Sequence, residues 1–518
     1  MQKLPVGMQD FESIREKGFL YVDKTQKIVD LVENGTRYFL SRPRRFGKSL
    51  TLSTMQAMFQ GKAELFKGLY AEEWVKSQSS NPLPVLHLDM SGISDYKNDR
   101  EFEESFISYL KDYIYINDID VEIKNSAGDF LRSIILNLYK KYGKVVVLID
   151  EYDKPILDNI TSTENAKAMR DKLHSIYNII KNCDKYIYFL FITGISKFSK
   201  TGVFSAMNNL LDISFANEYS DIVGYTQKEL EEYFADWIDD TASSLNEKPS
   251  EILSGLKKYY DGFSFDGKTR LYNPFSILCY FRLKRYANYW YDSGSPSFII
   301  EWMKTHGVKN PESLRHIEVN ANFISSHDIE IAELSSFLYQ SGYLTIEKID
   351  GSMLTLDFPN KEVLESISTL YLSDIYSIKD CVEIGNNIWG ALRKGEMQRI
   401  VDFFNVALSE LPYDGLEDQI NEYFFRALFL MLLRCVGIIA YAEVHTFKGR
   451  SDIVIQFEQQ VVVIEFKFAP TSAEVNAKRQ EGIAQIRSRD YAKPYGGEGR
   501  AVSAFVVVAD GQLRQAVL

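Results

Sequence analysis

Cysteine is scarce in this chain, histidine hardly less so, and positive charge is outweighed by negative. Four cysteines occur among 518 residues (Cys183, Cys279, Cys381, Cys435), none in a CxxC spacing and none with partner histidines. A small disulfide scaffold is therefore excluded, and the four read as buried thiols of a reducing compartment. His87, His174 and His445 show no ligand spacing either. The net charge of −12 excludes a molecule that grips nucleic acid with its whole surface, so any polyanion must meet a local basic site. The first residues, MQKLPVGMQDFESIREKG, lack the apolar core of a signal peptide. The most lipid-like stretch, Phe424 to Ala442, carries Arg426 and Arg434, and reads as a buried helix running into a strand, not as a membrane span. No repeat and no low-complexity linker is present. The expected setting is the cytoplasm, with no membrane partner.

What remains is a chain able to bury large cores. Apolar residues make up 45%, aromatics 14% and charged residues 25%, which rules out disorder and collagen. At about 150 residues per domain the length suggests roughly three domains. Residues 1–224 alternate β-rich runs with helical segments, the candidate strands being 37–41, 84–89, 144–150 and 186–193. Lys144-Val-Val-Val-Leu-Ile-Asp150 is apolar on both faces, as a central parallel strand must be when helices cover both sides. This part is expected to be an α/β sheet domain. Residues 225–404 read as a helical, aromatic middle, with a capping-box spacing at Thr226 and Glu229. Residues 405–518 read as a second α/β domain. It opens with an apolar helix and continues through strands near 439–447, 451–457 and 461–468, a helix over 472–491 and a strand at 501–509.

Two segments of the first part belong together chemically. Arg42-Pro-Arg-Arg-Phe-Gly-Lys-Ser49 follows an apolar strand and precedes a helical run. In that context successive backbone N–H groups, those of Arg44, Arg45, Phe46 and Gly47 among them, can curl around phosphates at a helix N-terminus. Lys48 would reach the β- and γ-phosphates and Ser49 would ligate Mg²⁺. The usual GxxxxGK[ST] pattern is broken at its first position, where Arg42 replaces glycine. About 100 residues on, an apolar strand ends in Asp150 and Glu151. Asp150 could hold the Mg²⁺ shell and Glu151 could orient the attacking water as general base. Thr193 closes a third strand and could bring a hydroxyl near the γ-phosphate. The plainer alternative is that the two acids cap the helix after them.

The segments VDKT (22–25), RPRRFGKSL (42–50), LIDEYDKP (148–155), TGISKFS (193–199) and YNPFS (272–276) together resemble the AAA-ATPase-like family, P-loop proteins with a nuclease-like C-terminal domain. The resemblance spans nearly the whole chain, and it makes Arg42 part of the family pattern. It implies ATP as ligand and Mg²⁺ as its companion. Arg42, Arg44 and Arg45 are then expected near the polyphosphate, one of them stabilising the γ-phosphate charge. The alternative for any of them is a surface loop or a salt bridge to Asp23 or Asp89.

In the last part, Asp452 lies in one strand, and Glu465 and Lys467 lie two apart in the next, so those two share a face. Two acids and a lysine can hold Mg²⁺ and position a water. Glu422 on the preceding helix is a candidate outer ligand. The D-x12-ExK arrangement resembles the PD-(D/E)XK nuclease superfamily, although Ser451 stands where that name has proline. The later helix contributes Gln485, Arg487, Arg489 and Tyr491, which the resemblance places near the site or the DNA backbone. The basic residues of 474–500 are balanced by Glu474, Glu481, Asp490 and Glu498, so charge alone does not separate a phosphate rail from a solvated face. Tyr259, Tyr260, Phe263, Phe265, Tyr272 and Phe275 could stack on bases, with core packing the plainer reading.

The expected protein is an ATPase coupled to a Mg²⁺-dependent nucleic-acid endonuclease, DNA being the favoured substrate. The competing reading is a nucleotide-dependent switch or scaffold whose nuclease-like domain binds without cutting. An oligomer, with an arginine arriving from a neighbouring subunit, is compatible with both.

Overall fold

A computed structural model describes residues 1–94, 96–160, 162–197, 209–292, 300, 303, 314–321, 334–411, 421–446, 449–457, 460–489, 501–511 and 515–518. Phe198, Ser199, Asp490, Tyr491, Lys493, Glu498 and Arg500, and the side chain of His445, lie outside the described residues. The chain forms two compact units, Met1–Met303 with His316–Asn360, and Lys304–Arg315 with Lys361–Leu518. The stretch read as one middle region, 225–404, is divided between them.

In the first unit, β1 (Arg37–Ser41), β2 (Val85–Asp89), β3 (Val145–Asp150), β4 (Ile187–Gly194) and β5 (Leu211–Asp212) form a sheet in the order β2-β3-β4-β1-β5. Every pairing in it is parallel. Residues Val145 to Ile149 are completely buried, the signature of a strand with helices on both faces. The helices Lys48–Phe59 and Ala127–Tyr142 both pack on β3. Because the strands are parallel, their carboxyl ends emerge at one edge, where ligands of open α/β sheets bind. The register there sets Asp89 beside Asp150, and Leu40 beside Thr193.

The same unit holds the helical part that follows. Thr226 and Glu229 form the expected capping box, opening a helix over Gln227–Tyr233. Asn273 caps the Pro274–Leu283 helix by accepting from Ser276 N (3.1 Å), with proline at the first helical position, where its missing N–H costs nothing. These helices share a core with the N-terminal segment, Leu4, Leu20 and Val22 packing among Phe234, Leu256, Tyr280 and Phe281. The expected helical middle has one addition, an antiparallel sheet of β6 (Ile317–Asn320), β8 (Met353–Asp357) and β7 (Thr345–Asp350). A two-residue Gly351–Ser352 turn joins β7 to β8, and Gly351 has φ 61°. That turn chemistry specifies a hairpin.

In the second unit, the apolar stretch forms a buried helix, Glu422–Arg434, followed by β9 (Ala440–Thr446). β10 (Gly449–Phe457), β11 (Gln460–Ala469), β12 (Ala501–Asp510) and β13 (Gln515–Val517) complete a sheet ordered β13-β12-β11-β10-β9. β11 and β12 are parallel, with the Val475–Arg489 helix between them in sequence. That helix lays Ile483 and Ile486 on the face bearing Val461, Val463, Val506 and Val508. On the Glu422–Arg434 helix, Phe425 and Phe429 meet Phe468 and Phe466 at 6.3 and 5.7 Å. Odd and even positions of β11 thus face different helices, as alternation requires.

Candidate nucleotide and metal sites

The loop between β1 and the Lys48–Phe59 helix has two residues in the left-handed region, Arg45 (φ 65°) and Gly47 (φ 99°). For arginine that conformation costs about 1–2 kcal/mol, the kind of strain that collects at functional sites. Glu151, just past β3, shares it with φ 49°. Arg45, Gly47 and Glu151 line the same cavity of about 430 Å³, together with Arg44, Lys48, Ser49 and Lys154. The size suits a bound small molecule.

Lys48 is buried and donates from Nζ to the carbonyls of Arg42 (2.9 Å) and Pro43 (3.0 Å). Burial draws its pKa down, while Asp150 and Glu151 pull it back up. Glu151 shifts the other way, because burial raises its carboxyl above the usual range against the opposing charge of Lys48. Asp150 and Thr193 do not line the cavity; both are buried, and Thr193 Oγ1 donates to Asp150 Oδ1 at 2.5 Å. Asp150 Oδ1 also accepts from Glu151 N at 3.0 Å. Lys48, Ser49, Asp150, Glu151 and Thr193 are therefore gathered at the carboxyl edge of one sheet.

One residue of the loop sits elsewhere than expected, and another turns its ring away from the cavity. Arg42 does not line the cavity and forms no bridge to Asp23 or Asp89. It is 1% exposed, donates to the carbonyls of Ser41 (2.9 Å) and Ser214 (2.8 Å), and lies 4.0 Å over the ring of Phe265. Burial pulls its pKa down to about 10. Phe46 turns its ring inward between Phe263 and Phe265, at 4.9 and 5.6 Å, so its backbone alone can meet a ligand. Phe263, Phe265, Tyr260 and Tyr272 are likewise core residues.

The C-terminal cluster is assembled by strand register. β10 and β11 pair as far as Ile453 with Ile464, so Asp452 and Glu465 come next on one face. There Asp452 Oδ2 accepts from Phe466 N at 2.8 Å, a side chain taking the place of a strand carbonyl. Asp452 Oδ1 accepts from Arg426 at 3.0 Å, and Lys467 donates to Glu465 Oε1 at 2.8 Å. Glu465 Oε2 is buried with no hydrogen-bond partner. Burial first, then the charge of Asp452, raises the Glu465 carboxyl to about 7, with Glu422 adding to the push. Burial raises Glu422 too. An orphaned carboxylate oxygen among three acids and two cations is a donor set short of positive charge, and it fits a divalent ion with oxygen ligands. Among the described residues the trio of ligand atoms all within 4.8 Å of one another is His316, Glu347 and Asp357; Glu422, Asp452 and Glu465 are spread more widely.

The reading from sequence missed Arg426, Asp153, whose carboxylate accepts from Ile195 N and Ser196 N on the loop after β4, and the meeting of Phe275 with Pro5–Gln9 in one cavity wall. Arg426 had a usable signal, because a charge four residues after Glu422 shares its helix face.

A parallel sheet with a lysine loop and an acid pair at its carboxyl edge, joined to a mixed sheet carrying an Asp–Glu–Lys cluster, defines a P-loop domain followed by a nuclease-like domain. Comparison with known proteins agrees. Residues 5–204 match the family described as predicted AAA-ATPase, and residues 420–517 match the PD-(D/E)XK nuclease superfamily. The chain belongs to the AAA-ATPase-like family, with a PD-(D/E)XK nuclease-like domain at its C-terminal end. A protein of Azotobacter chroococcum mcd 1, named for its place in the vnfD 5′ region and uncharacterized, is 30% identical over 514 residues, 97% of this chain and 95% of that one. Among solved structures, Aeropyrum pernix ORC1 in complex with DNA aligns at 8% identity and TM-score 0.24, covering 67% of this chain and 91% of that one. Cdc6p of Pyrobaculum aerophilum aligns at 11% identity and TM-score 0.21, over 67% and 92%. Overlaps so loose carry no argument about the site. Among the described residues no helix is long and apolar enough to cross a membrane.

Proposed function

We propose that this protein hydrolyses ATP at the Lys48–Glu151 cavity and that its C-terminal domain is a Mg²⁺-dependent nucleic-acid endonuclease governed by the nucleotide. The observation that carries the reading is the convergence of Lys48, Ser49 and Glu151 on one cavity, with Asp150 and Thr193 bonded directly beside them. Loop N–H groups and Lys48 hold the β- and γ-phosphates, and Glu151, its carboxyl raised by burial, takes a proton from the attacking water. Ser49 and Asp150 would hold Mg²⁺, which when bound neutralises phosphate charge.

In the second unit Asp452, Glu465 and Glu422 would hold the divalent ion, and Lys467 positions the nucleophilic water. The substrate class is nucleic acid, DNA first. A cytoplasmic setting in defence or mobile-element biology belongs to the same reading, by analogy of architecture. The test is ATP turnover, alongside cleavage of plasmid and single-stranded DNA over a Mg²⁺ titration, with and without ATP. Cleavage that needs the metal and responds to ATP is expected; ATP turnover with every nucleic acid left intact removes the nuclease half.

One observation favours a second reading, in which the C-terminal domain only binds. Asp452 is paired with Arg426 and Glu465 with Lys467, so much of the cluster's charge is balanced without any ion.

A further inference from the structure

Three side chains that belong to neither proposed site meet at one end of the β6-β8-β7 sheet. β6 pairs with β8 from Ile317 on Leu356, so His316 comes next beside Asp357, while β7 sets Thr345 on the other side of Asp357. The register of β7 then shifts between Ile346 and Lys348, which makes Glu347 the extra residue of a bulge. A bulge re-aims a side chain. Here Glu347 is brought to the imidazole, His316 Nδ1 lying 2.8 Å from Glu347 Oε2 and 3.7 Å from Asp357 Oδ2. One ligand atom from each of the three residues lies within 4.8 Å of the other two.

The trio is held from behind. Arg270 donates to the carbonyls of Ile346 (2.8 Å) and Glu347 (2.7 Å), which fixes the bulge. Asp357 is buried, and its Oδ1 accepts from Phe358 N at 2.8 Å, so that Oδ2 is the oxygen turned to His316. The side chains of His316 and Glu347 are 59% and 43% exposed, leaving an ion a way in from solvent. In a tetrahedral Zn²⁺ site neighbouring ligand atoms stand roughly 3.3 Å apart, between the two distances found here. One imidazole nitrogen with two carboxylates suits Zn²⁺, whereas Mg²⁺ prefers oxygen alone, as the Glu422–Asp452–Glu465 set offers.

We propose that His316, Glu347 and Asp357 form a Zn²⁺ site that ties β6, β7 and β8 together, with water completing the coordination. The chain leaves the first unit after Met303, returns at His316 and leaves again after Asn360. The ion therefore fastens the returning strand to the departing one. The proposal is independent of the nucleotide and nuclease readings.

The test is Zn²⁺ binding by chelator-stripped, full-length protein in excess Mg²⁺, followed by isothermal titration and by thermal unfolding. Wild type should bind Zn²⁺ and be stabilised by it. His316→Ala and Glu347→Gln should each weaken binding at least about tenfold and lose the stabilisation, while Glu465→Gln keeps both. Should His316→Ala fail to fold, Glu347→Gln decides alone, since it changes a half-exposed side chain without changing its size. Wild type that is not stabilised by Zn²⁺ leaves the trio a plain histidine–carboxylate ion pair and overturns the site. Binding that survives Glu347→Gln but is lost in Glu465→Gln puts the ion in the C-terminal cluster, and overturns it too.

Discussion

Asp153 grips Ser196 across the sheet edge, one carboxylate oxygen accepting from Ser196 N at 2.7 Å and from Ser196 Oγ at 2.5 Å. Ile195 N adds a third bond at 3.1 Å, and the acid is 1% exposed. The loop after β3 is thus locked to the loop after β4, which keeps Thr193 against Asp150. The fit is tight, because a Cβ at Gly194 would come within 2.5 Å of the Tyr152 ring and 2.6 Å of Asp153 Oδ1. Asp153→Ala strands three buried donors and should cost about 3 kcal/mol in urea unfolding, with ATP turnover falling as well. A variant as stable as wild type would mean that the clamp holds nothing.

Arg42 occupies the position where most phosphate loops have glycine, yet restoring the glycine should harm the protein. Its guanidinium serves the backbone carbonyls of Ser41, Ser214, Tyr219 and Ser220 and the Phe265 ring in a fully buried site. Arg42→Gly leaves those acceptors and that space unfilled. About 3 kcal/mol of stability should be lost, without any gain in ATP affinity. Thermal unfolding and nucleotide titration on the same preparation decide it, and a tighter-binding, equally stable variant would refute the structural role.

The two proposed chemistries have separate signatures. Glu151→Gln should retain ATP and lose turnover by at least about a hundredfold, the usual contribution of a general base. Lys48→Ala should lose ATP itself, because a neutral side chain leaves the polyphosphate unmatched. Lys467→Ala should abolish metal-dependent cleavage while ATP turnover continues. If Glu151→Gln hydrolyses ATP normally, another group is the base.

Much of this was legible in the residues. Apolar runs such as Lys144 to Asp150 marked the buried strands, and Thr226 with Glu229 marked a helix start, because burial and capping act over a few neighbouring residues. Glu465 and Lys467 could be set on one face by strand alternation alone, while Asp452 joins them only through the register of β10 on β11. Arg42 could not be placed that way, since its partner Ser214 lies 172 residues away and nothing local signals it. Phe275 was named as a ring that could stack on bases, but its meeting with Pro5–Gln9 in one wall was hidden for the same reason: the two lie far apart in the sequence. The β7–β8 hairpin was lost among aromatic helical patterns, although Gly351–Ser352 announced it.

Arg426 stands beside the acids where a metal ion would be useful, and the pair it makes with Asp452 is almost fully buried. Truncating one partner of such a pair leaves an uncompensated charge, so Arg426→Ala should lose about 3 kcal/mol of stability in chelator. The loss leaves Glu422, Asp452 and Glu465 facing Lys467 alone, and the orphaned oxygen of Glu465 is joined by that of Asp452. A divalent cation then answers a larger electrostatic need, and its affinity should rise about tenfold. By mass action Mn²⁺ should therefore stabilise Arg426→Ala more than it stabilises wild type. Thermal unfolding of both proteins in chelator and in Mn²⁺ measures the difference directly. Equal stabilisation of the two would show that Arg426 does not compete with the ion and serves only to hold Asp452 in place.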